Sequence, residues 1–169
     1  TDRRQWSIDL PEGIFVSDAI WSPDGSRLAF LAHLADGTEV WTADVTSGAT
    51  EPLSDARVMA TLAARARFGS AGVPSRMLQW MPDGSVLALL VPDNRGLEPK
   101  VNSVPTGPVI RRTREKATPT PTLPFLLRTE HDADLFRYYT TAQLARLSSD
   151  QAPQLIGEPG MYLSISVSP

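Results

Sequence analysis

Apolar residues along this chain fall in short alternating runs, and each run ends at a cluster of proline, glycine or aspartate. Val16 to Ser22 reads as a strand. Pro23-Asp24-Gly25 follows as a tight turn, in which proline presets the first central φ and glycine accepts a positive one. Arg27 to Ala32 alternates, with Leu28, Phe30 and Ala32 on one face and Arg27, Ala29 and Leu31 on the other. Asp36-Gly37 signals a hairpin into Glu39 to Val45, where Trp41, Ala43 and Val45 share a face. Ser47-Gly48 turns the chain again, and Thr50 to Leu53 supplies a fourth short strand. Four strands joined by tight turns within about forty residues make one small antiparallel sheet, a unit that repeating β architectures use.

The opening of that unit recurs. Trp21-Ser22-Pro23-Asp24-Gly25-Ser26 is matched by Trp80-Met81-Pro82-Asp83-Gly84-Ser85, and each copy leads into an apolar strand, Arg27 to Leu31 in the first and Val86 to Leu90 in the second. A lone Pro-Asp-Gly is common in hairpins, whereas two copies with the same tryptophan before and the same strand after mark a repeat. A third copy begins at Tyr162 to Ser168, where Leu163, Ile165 and Val167 face one way, and it reaches Ser168-Pro169 where the first copy continues into Asp24-Gly25. The pattern predicts an all-β chain, a partial β-propeller of four-stranded antiparallel blades, about two and a half in number. The blades are placed at 1–57, at 75–157 with a long insertion over 92–137, and at 161–169 for the start of the next. Such a chain is expected to be an internal piece of a longer protein, and Thr1 in place of an initiator Met agrees with an upstream start.

Two segments depart from the blade pattern. Val58 to Arg67 is rich in Ala and Arg and reads as a short helix or a distorted strand. Pro92 to Pro124 holds seven prolines and the basic cluster Arg111, Arg112, Arg114 and Lys116, a Pro-rich excursion from the propeller. Order returns at Thr129-Glu130-His131-Asp132-Ala133-Asp134, whose acids suit the first turn of a short helix. Gln143 to Leu147 then reads as a strand, with Ser149-Asp150 as its turn.

Composition narrows the chemistry. There is no cysteine, which removes disulfides, thiol catalysis and cysteine metal sites together. A net charge of −3 argues against a general nucleic-acid binder, and no run of apolar residues approaches the length of a membrane span, so neither nucleic acid nor membrane is an expected partner. The strained turn that presents a hydrolase serine, Gly-x-Ser-x-Gly, is absent; Gly69-Ser70-Ala71-Gly72 has the wrong spacing. His33 and His131 are the two possible bases, and each is assigned an ordinary surface role because no nucleophile or orienting group accompanies it. His131-Asp132-Ala133-Asp134 offers metal ligands without a second cluster to complete a coordination sphere, and helix capping accounts for its acids. No phosphate loop or dinucleotide fingerprint is present. Catalytic, cofactor-binding and metal residues are therefore assigned to none, no cofactor is expected, and substrate-contacting residues are left unassigned. The run Arg111 to Lys116 is read as a solvated loop. Trp21 and Trp80 are expected to pack between blades, and Phe136, Tyr138 and Tyr139 to pack in the core, with an interdomain face as the alternative.

The Trp-Ser-Pro-Asp-Gly strand start resembles the propeller repeats of TolB-like proteins and of the prolyl oligopeptidase family of serine peptidases. Leu123-Pro124-Phe125-Leu126-Leu127, followed by Asp132-Ala133-Asp134-Leu135-Phe136-Arg137-Tyr138-Tyr139 and Gln143-Leu144, is similar to a stretch of the glutamyl endopeptidase-like branch of that family. Pro105-Thr106-Gly107-Pro108 before it, with Ile156-Gly157 and Tyr162-Leu163-Ser164 after it, keep the same order. The resemblance covers residues 10–169 and is most specific over 75–169. It implies an N-terminal propeller joined to a C-terminal α/β-hydrolase domain that holds a Ser-Asp-His triad, with peptides cut in the cavity between them, in the subgroup after glutamate. This chain would then supply blades to the filter that limits access to peptides and unfolded segments. Its partners would be the hydrolase domain of the same parent and the peptide substrate. The alternative is a TolB-like protein-binding propeller without catalysis.

Overall fold

The computed structural model describes residues 7–61, 77–100, 127 and 129–167. Strands β1 (Phe15–Trp21), β2 (Arg27–Leu34), β3 (Gly37–Asp44) and β4 (Thr50–Pro52) form one antiparallel sheet in sequence order. Strands β5 (Leu78–Trp80), β6 (Val86–Leu90), β7 (Thr141–Ser148) and β8 (Gln151–Met161) form a second, also in sequence order, with helix α1 (Glu130–Thr140) preceding β7. The chain is all-β in plan, as two blades of a partial propeller require. Among the described residues no helix is long and apolar enough to cross a membrane.

The two Pro-Asp-Gly turns are built alike. Gly25 and Gly84 sit at φ 72° and 82°, where a side chain would be strained. Asp24 Oδ1 accepts from Ser22 Oγ at 2.6 Å and from the Ser26 amide at 3.1 Å. Asp83 Oδ1 accepts from the Ser85 amide at 3.0 Å and from its hydroxyl at 2.5 Å. The second hairpin is nevertheless one residue tighter. Ser22 N donates to Arg27 O, whereas Met81 N donates to Ser85 O, so Trp21 pairs with Leu28 and Trp80 with Val86. Val86 thus stands in the place of Leu28, one position on from the alignment suggested by the turn sequence.

That register decides the packing. Ala29, Leu31 and Val40 on one face of the first sheet meet Trp80, Val86, Ala88, Leu90, Ala145 and Leu147 on the facing side of the second, all of them buried. The opposite face of the first sheet carries Phe30, Ala32, Trp41 and Ala43, packed with Ile14, Leu28 and Leu34. Strand β2 is therefore buried on both sides from Ala29 to Ala32, which is why both faces of that stretch are apolar.

The first strand of the second sheet is split. Val58 bridges to Leu90, Met59 N donates to Leu89 O and Val91 N donates to Arg57 O. In the first sheet the matching partner of Ala32 is Val16, so Val58 occupies the place of Val16, and Gln79-Trp80 that of Ile20-Trp21. The chain leaves the ladder where β1 has its own irregularity, a register shift between Ser17 and Ile20 with Asp18 at φ 52°. Of the segment Val58 to Arg67, residues 58–59 continue the strand line and Ala60-Thr61 form a short 3₁₀ turn; the remainder lies outside the described residues.

The expected strand over Tyr162 to Ser168 is not formed over 162–167, which have no ladder partner among the described residues; an alternating pattern makes a strand only where a neighbour takes its hydrogen bonds. Ile165 is still buried in the core, and Tyr162 packs against it. The outer strand β8 runs for 11 residues against three in β4, and Pro153 and Pro159 lie within it, as suits an edge.

Candidate functional site

Each chemical group singled out in the sequence now has an address. His33, at the end of β2, is held between hydroxyls: Nε2 lies 2.9 Å from Ser17 Oγ and Nδ1 2.9 Å from Thr38 Oγ1. Ser17 donates its own proton to Asp18 Oδ2 at 3.0 Å. With that proton on Asp18, Ser17 Oγ is left to accept from Nε2–H, while the Nδ1–Thr38 contact follows the ring's tautomer. A working base needs the reverse polarity, with the serine proton aimed at the ring and a carboxylate behind it. His33 is a tie between β1, β2 and β3, consistent with a structural role.

His131 stands in the first turn of α1. Thr129 Oγ1 accepts from the Asp132 amide at 3.1 Å and Asp132 Oδ2 accepts from the Thr129 amide at 2.9 Å, a reciprocal cap that uses the acid the sequence placed there. Asp134 pairs with Arg137 at 2.7 Å. Among the described residues no group of three or more His, Cys, Asp or Glu is gathered closely enough to hold a metal ion.

The aromatic run of α1 does not enter the core. Phe136 and Tyr139 are both 41% exposed. The Arg95 guanidinium lies 3.6 Å from the centroid of the Tyr138 ring and 5.3 Å from that of Tyr139, and its Nε donates to Tyr138 O at 3.0 Å. The two rings meet edge to face at 5.1 Å. Tyr139 donates to Glu98 Oε1 at 2.7 Å, and that bond to a carboxylate holds its proton and raises its pKa. This clamp fastens the loop after β6 to the helix, and a cleft of about 370 Å³ opens beside it, lined by Asn94, Arg95, Arg137 and Tyr138 among others. Core packing, expected for these rings, is thus replaced by an arginine contact for Tyr138 and Tyr139 and by exposure for Phe136.

A larger cleft of about 910 Å³ lies between β8 and the segments Asp55–Arg57 and Leu90–Asn94. Its cation is already engaged: Arg57 reaches Asp36 at 2.5 Å and Glu39 at 2.8 Å. Gly37 makes room for this clamp, since a Cβ there would fall 2.8 Å from Arg57 Cδ. Gln143, also lining the cleft and only 5% exposed, shares its amide hydrogens among the carbonyls of Leu144 (3.0 Å), Ile156 (2.9 Å) and Gly157 (3.2 Å), across the bulge that separates Ala142 from Leu144 in the β7–β8 ladder.

Sequence reasoning missed Arg57, Arg95 and Gln143 as organising residues. Gln143 had a signal, its place in the Gln143-Leu144 pair of the resemblance; Arg57 and Arg95 lie in irregular segments without one. The two repeat tryptophans part company. Trp80 is 6% exposed and donates Nε1–H to Ile20 O at 3.1 Å, so it packs between sheets as expected; Trp21 is 60% exposed, with no sheet against its face among the described residues. Gly69 to Gly72 and the cluster Arg111 to Lys116 lie outside the described residues.

No family model matches the chain. Two curated relatives do. The protein named "Probable glutamyl endopeptidase, chloroplastic" from Oryza sativa subsp. japonica is 35% identical over 166 residues, covering 94% of this chain and 17% of the relative. The protein of the same name from Arabidopsis thaliana is 31% identical over 165 residues, covering 94% of this chain and 16% of the relative. The resemblance to the glutamyl endopeptidase branch of the prolyl oligopeptidase family therefore holds along nearly the whole chain, and the chain spans about a sixth of the length of these relatives.

Proposed function

We propose that this chain is the non-catalytic propeller portion of a serine peptidase and gates peptide access to an α/β-hydrolase domain outside these residues. The observation that carries the reading is the match over 94% of the chain to about a sixth of two proteins named glutamyl endopeptidases. The sequence contains no nucleophile elbow, and the Ser17 hydroxyl beside His33 gives its proton to Asp18 instead, both of which suit a supporting role. In this reading the chemistry is acyl transfer through a serine elsewhere in the parent. These sheets contribute rigid walls, and the proton of the reaction passes through none of the groups described above. Peptides and unfolded segments are admitted because folded proteins are wider than the opening the blades leave.

The test compares the 169-residue chain with the full-length product of its gene, on a short glutamate-containing peptide and on a folded protein of the same composition. The expected result is an inert short chain and a longer product that takes a fluorophosphonate label and cleaves the peptide far faster than the folded protein. A longer product that cleaves both at the same rate overturns the gating role. One that neither labels nor cleaves leaves the protein-binding propeller as the better account.

A further inference from the structure

The chain holds seven glutamates and twelve aspartates. A proline follows three of the glutamates, at Glu51-Pro52, Glu98-Pro99 and Glu158-Pro159, and none of the aspartates. With fifteen prolines in 169 residues, chance would place fewer than one such pair. The three sites lie where a backbone is easiest to seize. Glu51 is in β4 and Glu158 in β8, the outer strands of the two sheets, each with one partner strand, and Glu98 is in the loop after β6; all three are exposed. The other described glutamates sit differently. Glu39 lies in the interior strand β3 with its side chain 12% exposed and paired with Arg57, and Glu130 opens α1, where the backbone is coiled and not extended. Glu12-Gly13, in an exposed turn closed by Ile14 N on Pro11 O, is the one glutamyl bond among the described residues with neither proline, ladder nor helix.

We infer that Pro52, Pro99 and Pro159 shield these walls from the parent's own peptidase, by turning the exposed glutamyl bonds into ones it cannot cut. In acyl transfer the serine oxygen bonds to the glutamyl carbonyl carbon, the C–N bond breaks, and the leaving nitrogen takes a proton from the histidine. In a Glu-Pro bond that nitrogen carries a ring carbon in place of hydrogen, and the ring crowds the carbonyl and restricts the residue before it. Both the attack and the proton delivery are hindered. Proline also suits edge strands, but an edge does not choose the residue that precedes the ring. Aspartate, equally charged and more frequent here, never takes that place, so the pairing follows the side chain that a glutamate-directed site accepts. Two of the carboxylates are engaged as well: Glu98 accepts from Tyr139 at 2.7 Å and Glu51 from Arg27 at 3.0 Å. The Glu158 side chain has no partner among the described residues and depends on Pro159 alone. This rests on the proposed reading of the parent as a serine peptidase, with the cut after glutamate that the resemblance implies, and it adds how the walls survive beside such a site.

The experiment uses the full-length gene product in its natural sequence and as Pro52→Ala, Pro159→Ala and the double variant Glu158→Gln/Pro159→Ala. Each is incubated with and without prior fluorophosphonate treatment, and new chain ends are read by mass spectrometry. The natural protein is expected to stay whole after Glu51, Glu98 and Glu158, with Glu12-Gly13 as the first nick among the described residues. Pro159→Ala is expected to gain a cut after Glu158 that the fluorophosphonate abolishes and the double variant lacks. The double variant loses the same proline, so loosening of β8 cannot by itself account for that difference. A peptide of residues 154–163 should be cut roughly a hundredfold more slowly than its Pro159→Ala counterpart, the low end of what proton transfer to a leaving group contributes. Equal rates on the two peptides overturn the inference, as does a cut after Glu51, Glu98 or Glu158 in the natural protein. An active peptidase whose Pro52→Ala and Pro159→Ala variants stay whole defeats this inference alone. A gene product that neither labels nor cuts a glutamyl peptide defeats the reading beneath it as well.

Discussion

Trp80 donates its indole N–H across the interface to the carbonyl oxygen of Ile20, 60 residues earlier in the chain, at 3.1 Å. That bond locks the second sheet onto the first at the point where the repeat begins, so ring burial and polar satisfaction come from one side chain. Removing the donor while keeping a ring separates the two contributions. Trp80→Phe is expected to lower stability by about 1 kcal/mol, the net worth of one buried hydrogen bond. Trp80→Ala, which also leaves a cavity, should cost about 3–5 kcal/mol. Urea titrations with an unchanged m value would check both, and a Trp80→Phe variant as stable as the parent would show that the bond contributes nothing.

Gly37 and Arg57 form a second pair whose energies should not add. In Gly37→Ala the new methyl would meet Arg57 Cδ at 2.8 Å, and Arg57 is held in place by Asp36 and Glu39. The single change is expected to cost about 1–2 kcal/mol, in the range of overpacking. Arg57→Ala alone should cost less, about 1 kcal/mol, because its pairs are partly exposed and screened. The double variant should then be more stable than the sum of the two losses by about 0.5–1 kcal/mol. Strict additivity in a double-mutant cycle would mean the clash is relieved elsewhere.

The first Pro-Asp-Gly turn carries a pH signature. The Ser22 hydroxyl, the Ser26 amide and the Ser26 hydroxyl, in that order of effect, hold the Asp24 carboxylate down to about 2 from its ordinary 3.8. A depressed folded-state pKa means that the unfolded chain takes up its proton first on acidification. The contribution is therefore complete above about pH 4 and is lost as pH falls toward 2. Between those values Asp24→Asn should remove up to one proton from the uptake that accompanies unfolding, measured as the slope of stability against pH. Asp83, lowered by the Ser85 hydroxyl first, then the Ser85 amide and Arg146, should act in the same direction. An Asp24→Asn variant with the parental slope would discount the hydrogen bonds of this turn.

Gln143 makes its case through three acceptors. Gln143→Leu keeps the volume and strands the Leu144, Ile156 and Gly157 carbonyls, with an expected loss of about 1–3 kcal/mol. Amide exchange of β8 should accelerate more than that of β2. Uniform acceleration across both sheets would place the effect in global stability and not in the bulge.

The blade pattern was legible wherever turn chemistry and alternation agreed. The Pro-Asp-Gly starts, the Asp36-Gly37 hairpin and the capped helix after Thr129 all stand close to where the residues placed them. Register was harder. The tighter second hairpin moved Val86 into the place of Leu28, because the choice between closing on residue four or five of the turn is made by hydrogen bonds that no residue type announces. Apolar rings are usually buried, so Phe136, Tyr138 and Tyr139 are expected in the core, with an interdomain face as the alternative; Arg95, distant in sequence, supplies the two tyrosines with a competing partner. The same limit hid the difference between Trp21 and Trp80, alike in local sequence and opposite in exposure, since burial belongs to the neighbour that arrives and not to the strand that waits for it.

The break in the first strand of the second sheet gives this fold a port. Val58 and Trp80 hold places in one ladder although they are far apart in sequence, and the parallel spot in β1 needs only the kink at Asp18. Length at that junction is decoupled from the sheet's hydrogen bonding. A designer could insert a binding segment or a reporter between Thr61 and Met77 and leave the stacked walls to fold as before.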